Sequence, residues 1–327
     1  MPFEKVRSQR LFKSHCRGGQ KKTKGDKTIL RIVIFRIAYI GDTMIALPLL
    51  RELRTRYQND HITYIGNPVT LPLVQAWGLA DEVMAQDSSL SIELYSDGLR
   101  SPQWLDLFRQ ADLAISLMRN RTDELVRNLY HAGVKEVIAA DEFRTGTTSK
   151  HGLELLAESM GIDSLDAGNV APFRLKDNDF TLVNSPVTIH PGRGKDDGRC
   201  WRAASYATLI TRLIRNGQPI VLLAGPDDIE QLKNVLKHLP SSILPGMVSV
   251  MKNAPIVEVV KVMEKSKCYL GTDCGITHLA ALTGVPVIAL FGPVYPLPPL
   301  GPRVELIRDR LERLSVDRVL VSMQKYV

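Results

Sequence analysis

Between Lys267 and Pro293 the chain reads KCYLGT, then DCGITHLAALTG, then VPVIALFGP. The two outer pieces are short apolar runs of the kind that form strands buried on both faces. The middle piece has helical spacing and is too long for a hairpin turn, so the two strands must run parallel with a helix crossing between them. A parallel sheet needs helices on both faces, which commits the chain to an α/β architecture. In such a sheet ligands bind beyond the carboxyl ends of the strands. The seam at Asp273, Cys274 and Gly275 stands at such an end.

The same alternation recurs along the sequence. TILRIVIFR (Thr28–Arg36) is a β-branched run, and DTMIALPLLRELRTRY after it has helical spacing, with Asp42 placed to cap the helix and Pro48 placed to bend it. HITYIG, ADLAISL and VKEVIAA continue as strands, and SKHGLELLAESMGI as a helix ending at Gly161. From Asp163 to Pro186 the composition turns to Asp, Asn, Gly and Pro, that of a connector. PVTIH, PIVLLAG, KCYLGT and VPVIALFGP then alternate with helical segments, and no fixed-period repeat is present. The expectation is a tail over 1–27, a Rossmann-like domain over 28–175 and a second over 176–327, facing each other across a cleft.

Composition limits what such a chain can be. Hydrophobic residues make up 44% and charged residues 24% of its 327 residues, ordinary for a globular protein. No apolar run approaches the roughly 20 residues that span a bilayer, and the amino terminus has no secretory apolar block. Cys16, Cys200, Cys268 and Cys274 form no Cys-x-x-Cys pair, so no disulfide framework or metal finger is indicated and a reducing cytoplasm suits them. Residues 1–27 hold nine Lys and Arg against Glu4 and Asp26, which equals the whole chain's net charge of +7 and leaves the rest neutral. Nucleic acid is therefore not an expected partner. The tail's composition predicts disorder. It could hold the protein to anionic lipid, serve as a solubilising extension, or act as an organelle transit peptide.

Three seams carry polar chemistry. RIAYIGDTM, after the first strand, offers only Gly41 where a dinucleotide-binding turn needs Gly-x-Gly-x-x-Gly, which argues against an NAD-dependent oxidoreductase. It delivers one carboxylate, Asp42, which by itself reads as a helix cap. In HPGRGKDDGRCW (His190–Trp201), Gly192 and Gly194 allow close backbone approach and Arg193, Lys195 and Arg199 add positive charge. A pyrophosphate cradle and a solvated surface loop are both compatible with that composition. It lacks the Gly-Lys-Ser/Thr ending of a P-loop, which disfavours a kinase or ATPase. At the third seam, a helix starting near Gly275 would point free amides at a phosphate. Asp273 would repel that phosphate and suits ligand hydroxyls instead. His278, one turn along, can donate to a ligand or pack. Cys274 lies where a helix start favours thiolate, but the sequence shows no partner base for a nucleophile.

Asp273, Gly275, His278, Leu279, Ala280 and Ala281, then Gly284 and Pro286, then Leu290, Phe291, Gly292 and Pro293 resemble the carboxyl-terminal signature of glycosyltransferase family 9, which includes the ADP-heptose:lipopolysaccharide heptosyltransferases. IGDTMIALPLLRELR resembles the family's Gly-Asp and proline-containing helix, and HPGRG…RCW its central loop. The resemblance covers roughly residues 29–320. It implies a GT-B fold and inverting transfer of a sugar, most readily a heptose from ADP-heptose, onto a hydroxyl of a lipopolysaccharide-core or related glycan or glycolipid. It implies Asp42 as the base, Arg199 with the amides of Cys274 and Gly275 steadying the departing diphosphate, Asp273 gripping the donor sugar, and His278 supporting that site. Gly192 and Lys195 complete the donor-binding set. No cofactor or metal is required by this scheme, and no Asp-x-Asp pair is present. The implied location is cytoplasmic, peripheral on the inner face of the bacterial inner membrane if the tail binds it. The sequence departs from the family at Arg199 (usually Lys), Arg202 (Pro), Cys274 (Thr or Ser) and Val294 (Thr). Two alternatives follow: a non-catalytic nucleotide-sugar binder, or a transferase using another nucleotide sugar.

Overall fold

The computed structural model describes residues 29–96, 98–118, 123–139, 150–162, 165–179, 181, 184–192, 200–243, 246–293 and 297–327. The chain divides into two compact units between Ala167 and Gly168. The basic tail, Arg193, Gly194, Lys195, Arg199 and Val294 lie outside the described residues.

The first unit runs β1 (Arg31–Arg36), α1 (Ile40–Arg56), β2 (His61–Gly66), α2 (Leu71–Ala76), β3 (Glu82–Ala85), α3 (Ser88–Leu94), α4 (Pro102–Arg109), β4 (Leu113–Ser116), α5 (Glu124–His131), β5 (Glu136–Ala139) and α6 (Gly152–Ser159). Its strands are all parallel in the order β3-β2-β1-β4-β5. Ile32 to Arg36 are buried without interruption, as a central strand covered on both faces must be. Val33 and Phe35 join Trp104, Phe108, Leu125 and Leu129 in one core. The Phe35 and Phe108 rings meet edge to face at 5.9 Å. Helix α1 runs through Pro48, and Thr43 to Leu50 are buried continuously, so it is enclosed in the unit and not merely laid on it.

The second unit runs β6 (Val187–His190), α7 (Ala203–Arg215), β7 (Ile220–Ala224), α8 (Ile229–His238), β8 (Val248–Lys252), α9 (Ile256–Lys265), β9 (Cys268–Thr272), α10 (Gly275–Leu282), β10 (Val287–Phe291), β11 (Val304–Arg308) and α11 (Val316–Met323). Its sheet, also parallel, has the order β11-β10-β9-β6-β7-β8. Counted from its own first strand, that is the doubly wound dinucleotide-fold order 3-2-1-4-5-6. Val187, Ile189, Leu222, Leu270, Ile288 and Leu290 form the centre of its core. In both sheets the winding reverses beside the first strand, between β1 and β4 and between β6 and β9. A crevice opens at such a reversal because neighbouring crossovers leave in opposite directions.

The chain after the division is tied to the second unit. Phe173 N–H donates to the Leu282 carbonyl at 2.8 Å, and Leu175 N–H donates to Glu264 at 2.9 Å. Gly284 adopts φ +73°, and a Cβ there would lie 2.7 Å from the Pro172 ring. This glycine of the Gly-x-Pro motif thus lets the connector lie against the end of α10. Among the described residues, no helix is long and apolar enough to cross a membrane.

Candidate active site

At the first reversal, the turn Ile37–Ala38–Tyr39 leaves β1 and enters α1. Gln86 accepts from Ala38 N–H at 3.2 Å, and Asn67 donates to the Ala38 carbonyl at 3.1 Å. The turn is therefore fixed by residues following β2 and β3. Helix α1 begins at Ile40, with Tyr39 as its cap position and no side-chain cap. Asp42 is consequently not the cap the sequence suggested; it lies in the first helical turn. Among the described residues its carboxylate has no hydrogen-bond or ion-pair partner. Tyr39 is 84% exposed.

Arg36 was missed by sequence reasoning, because it read as the polar end of a strand. It is only 3% exposed. Its Nε donates to the Asp42 carbonyl at 3.1 Å and its Nη1 to the Leu117 carbonyl just after β4. One buried guanidinium thus clamps the first turn of α1 to both strands of the reversal, holding the backbone that carries Asp42.

At the second reversal, the strand ends of β6 and β9 stand side by side, with His190 opposite Gly271. Gly192 has φ +79°, and a Cβ there would come 2.7 Å from Thr272 Oγ1. The close approach that its small size permits is to the end of β9. After the undescribed segment, Trp201 is 1% exposed, donates to the Leu314 carbonyl at 2.9 Å, and meets Tyr206 edge to face at 4.9 Å. Gln231 donates to its carbonyl at 3.1 Å. The chain is therefore anchored where it leaves the central loop, at Trp201. Of the donor-binding residues expected in this loop, only Gly192 falls among the described residues; Lys195 and Arg199 do not.

The third seam follows β9. Cys274 occupies the cap position of α10 in an extended conformation, without capping the helix through its side chain, and Gly275 opens the helix. Asp273 is partly exposed, and His278 is buried one turn along. Thus Gly192, Asp273, Cys274, Gly275 and His278 all lie on the strand ends and helix start of one reversal.

This seam also holds contacts that the sequence did not reveal. Cys274 Sγ lies 3.3 Å from His190 Nδ1, and the other ring nitrogen, Nε2, lies 2.9 Å from Asp228 Oδ2. Asp228 also accepts from Gly225 N–H at 2.8 Å. The expectation that Cys274 has no partner base is corrected: the base comes from a neighbouring strand 84 residues away. Burial opposes a charged imidazole, but the Cys274 thiolate and the Asp228 carboxylate outweigh it and push His190 up to about 10. Burial likewise opposes the Cys274 thiolate, and His190 overrides it and holds the thiol below its ordinary value. The one signal that could have found His190 is a titratable residue at the carboxyl end of a buried strand. Asp228 looked like an ordinary helix-start carboxylate.

The family model for glycosyltransferase family 9 (heptosyltransferase) matches residues 149–326. The chain belongs to glycosyltransferase family 9. Lipooligosaccharide heptosyltransferase 2 of Haemophilus influenzae is 28% identical over 315 residues, covering 85% of this chain and 88% of that protein. Lipopolysaccharide heptosyltransferase 2 of Salmonella typhimurium is 21% identical over 318 residues, with the same two coverages. Among solved structures, E. coli ADP-heptose lps heptosyltransferase II has a TM-score of 0.71 at 18% identity, over 91% of this chain and 98% of that one. The two share the GT-B fold, and this family 9 chain is a glycosyltransferase.

Proposed function

We propose that this family 9 enzyme transfers a heptose, with inversion, from ADP-heptose to a hydroxyl of a lipopolysaccharide-core or related glycan acceptor. The observation that carries the reading is the β6/β9 reversal, where the family's carboxyl-terminal motif surrounds the start of α10. Amides at a helix start and a nearby positive charge suit a diphosphate. The donor diphosphate would lie against the amides of Cys274 and Gly275, with Arg199 and Lys195 of the central loop adding charge that grows in value as the nucleotide departs. Asp273 would accept from the donor sugar's hydroxyls, Gly192 would let the end of β6 lie close against the end of β9, and His278 would support α10 from within. Asp42 would take the proton from the acceptor hydroxyl as its oxygen attacks the anomeric carbon opposite the departing nucleotide. A carboxylate base and cationic leaving-group support need no metal. The enzyme would work in the cytoplasm, with residues 1–27 holding it to an anionic membrane that carries the acceptor.

Purified enzyme offered a panel of nucleotide sugars, with and without a truncated lipopolysaccharide-core acceptor, tests this. ADP release is expected from ADP-heptose and should rise several-fold with acceptor. Release only from another nucleotide sugar would replace the donor. Binding with no release under any condition would make the chain a nucleotide-sugar binder that has lost turnover.

A further inference from the structure

Cys274, His190 and Asp228 stand in a line: sulfur, imidazole, carboxylate. His190 and Asp228 are buried, whereas Cys274 is partly exposed. Thr277 Oγ1 is also 3.3 Å from the sulfur, but its single hydrogen is directed to the Thr272 carbonyl at 2.6 Å. His190 is therefore the sulfur's side-chain proton partner, beside the backbone N–H of Thr277. Asp228 accepts from the far nitrogen of that ring, which fixes its orientation and stabilises its positive charge. This is the arrangement of an activated nucleophile, its base and an orienting acid. It is not a metal site, since the thiol and the carboxylate meet opposite nitrogens of one ring; among the described residues no group of three potential metal ligands converges.

We propose that Cys274 is a modification site, a thiolate formed by His190 and Asp228 and open to soft electrophiles and peroxides. Two phenols near the sulfur do not compete for its proton. Tyr206 on α7 and Tyr269 on β9 are driven by burial well above the ordinary phenol value. Cys200, beyond Gly192, is a further thiol near the same seam. Cys268, by contrast, is buried and pushed up to about 12, which makes it an inert reference within the same chain.

With iodoacetamide, the thiolate forms a C–S bond as the C–I bond breaks and iodide leaves. With hydrogen peroxide, the sulfur takes the terminal oxygen as the O–O bond breaks; sulfur is oxidised to the sulfenic acid, the peroxide is reduced, and hydroxide leaves. An adduct at this position would fill the space beside the amides of α10 and exclude a diphosphate. That consequence rests on the donor site proposed above.

The full-length enzyme is treated with iodoacetamide from pH 6 to 9, and labelling of each cysteine peptide is followed by mass spectrometry against N-acetylcysteine. A thiol with a pKa near 8.5 is only about 0.3% ionised at pH 6. Cys274 should therefore react about 10-fold faster there, even after the lower intrinsic nucleophilicity of a more acidic thiol is allowed for. Its rate should level off while that of N-acetylcysteine still climbs, and Cys268 should stay unlabelled. His190→Gln should restore the climb with pH; if that variant does not fold, the wild-type profile decides. A Cys274 rate that rises in step with N-acetylcysteine, or no advantage at pH 6, overturns the proposal. Saturating ADP should slow the labelling. Fast labelling that ADP leaves unchanged upholds the thiolate and counts against the donor site instead.

Discussion

At the scale of single residues, the proposed chemistry rests on Asp42 and on the His190–Cys274 pair. Asp42 lies in the first turn of α1, on backbone held by Arg36. Asp42→Asn keeps the size and removes the proposed base, so turnover should fall by roughly 100-fold or more while the Kd for ADP stays near wild type. Steady-state kinetics beside calorimetry checks this, and retained turnover would leave Asp42 with only an electrostatic role in its helix. The His190–Cys274 pair makes stability depend on pH. His190, raised to about 10, contributes stability that is complete below its unfolded value of about 6.5 and is lost as pH rises through about 10. Cys274, lowered, contributes stability that is complete above its unfolded value of about 8.5 and is lost as pH falls through its folded value. Where the folded thiol is ionised and the unfolded one is not, the two slopes oppose each other; above about 8.5 the His190 loss stands alone. Urea titrations should show a decline from about pH 8.5 toward pH 10 that His190→Gln reduces.

At the scale of elements, the strand ends are packed to fine tolerances. Gly192→Ala would force a side chain into left-handed backbone and against Thr272, at a cost of about 1–3 kcal/mol. A lower denaturation midpoint in urea checks it; an unchanged midpoint would mean that this turn is free to rearrange. The same scale explains what was legible in the sequence. Central strands β1, β6, β9 and β10 are buried nearly throughout and show as unbroken apolar runs. Strands β3, β8 and β11 escaped notice because EVMA, VSVMK and VELIR, at sheet edges, are mostly exposed or half-buried, which weakens the apolar signal. The seams at Asp42, Gly192 and Asp273–Gly275 were visible because they follow strong strands. The contact between Cys274 and His190 was not, since it depends on β6 and β9 being neighbours despite their separation in sequence. Sheet order is a tertiary fact that local pattern does not encode.

At the scale of the whole molecule, two parallel sheets with their own cores account for the described chain, and the first described strand begins at Arg31. Removing residues 1–27 should therefore leave thermal stability and turnover on a soluble acceptor unchanged. Binding to anionic vesicles should fall and lose its dependence on salt, since surface charges act within about 8 Å in physiological salt. Loss of turnover on the soluble acceptor would show instead that the tail braces the enzyme. The central claim, that the donor's diphosphate rests at the β6/β9 reversal, is tested most directly by hydrogen exchange of the full chain with and without saturating ADP. Exchange should slow in the peptides covering 187–192 and 271–279, where the end of β6 and the first turn of α10 meet the diphosphate. Slowing confined to β1 and α1, with the second unit unaffected, would contradict it.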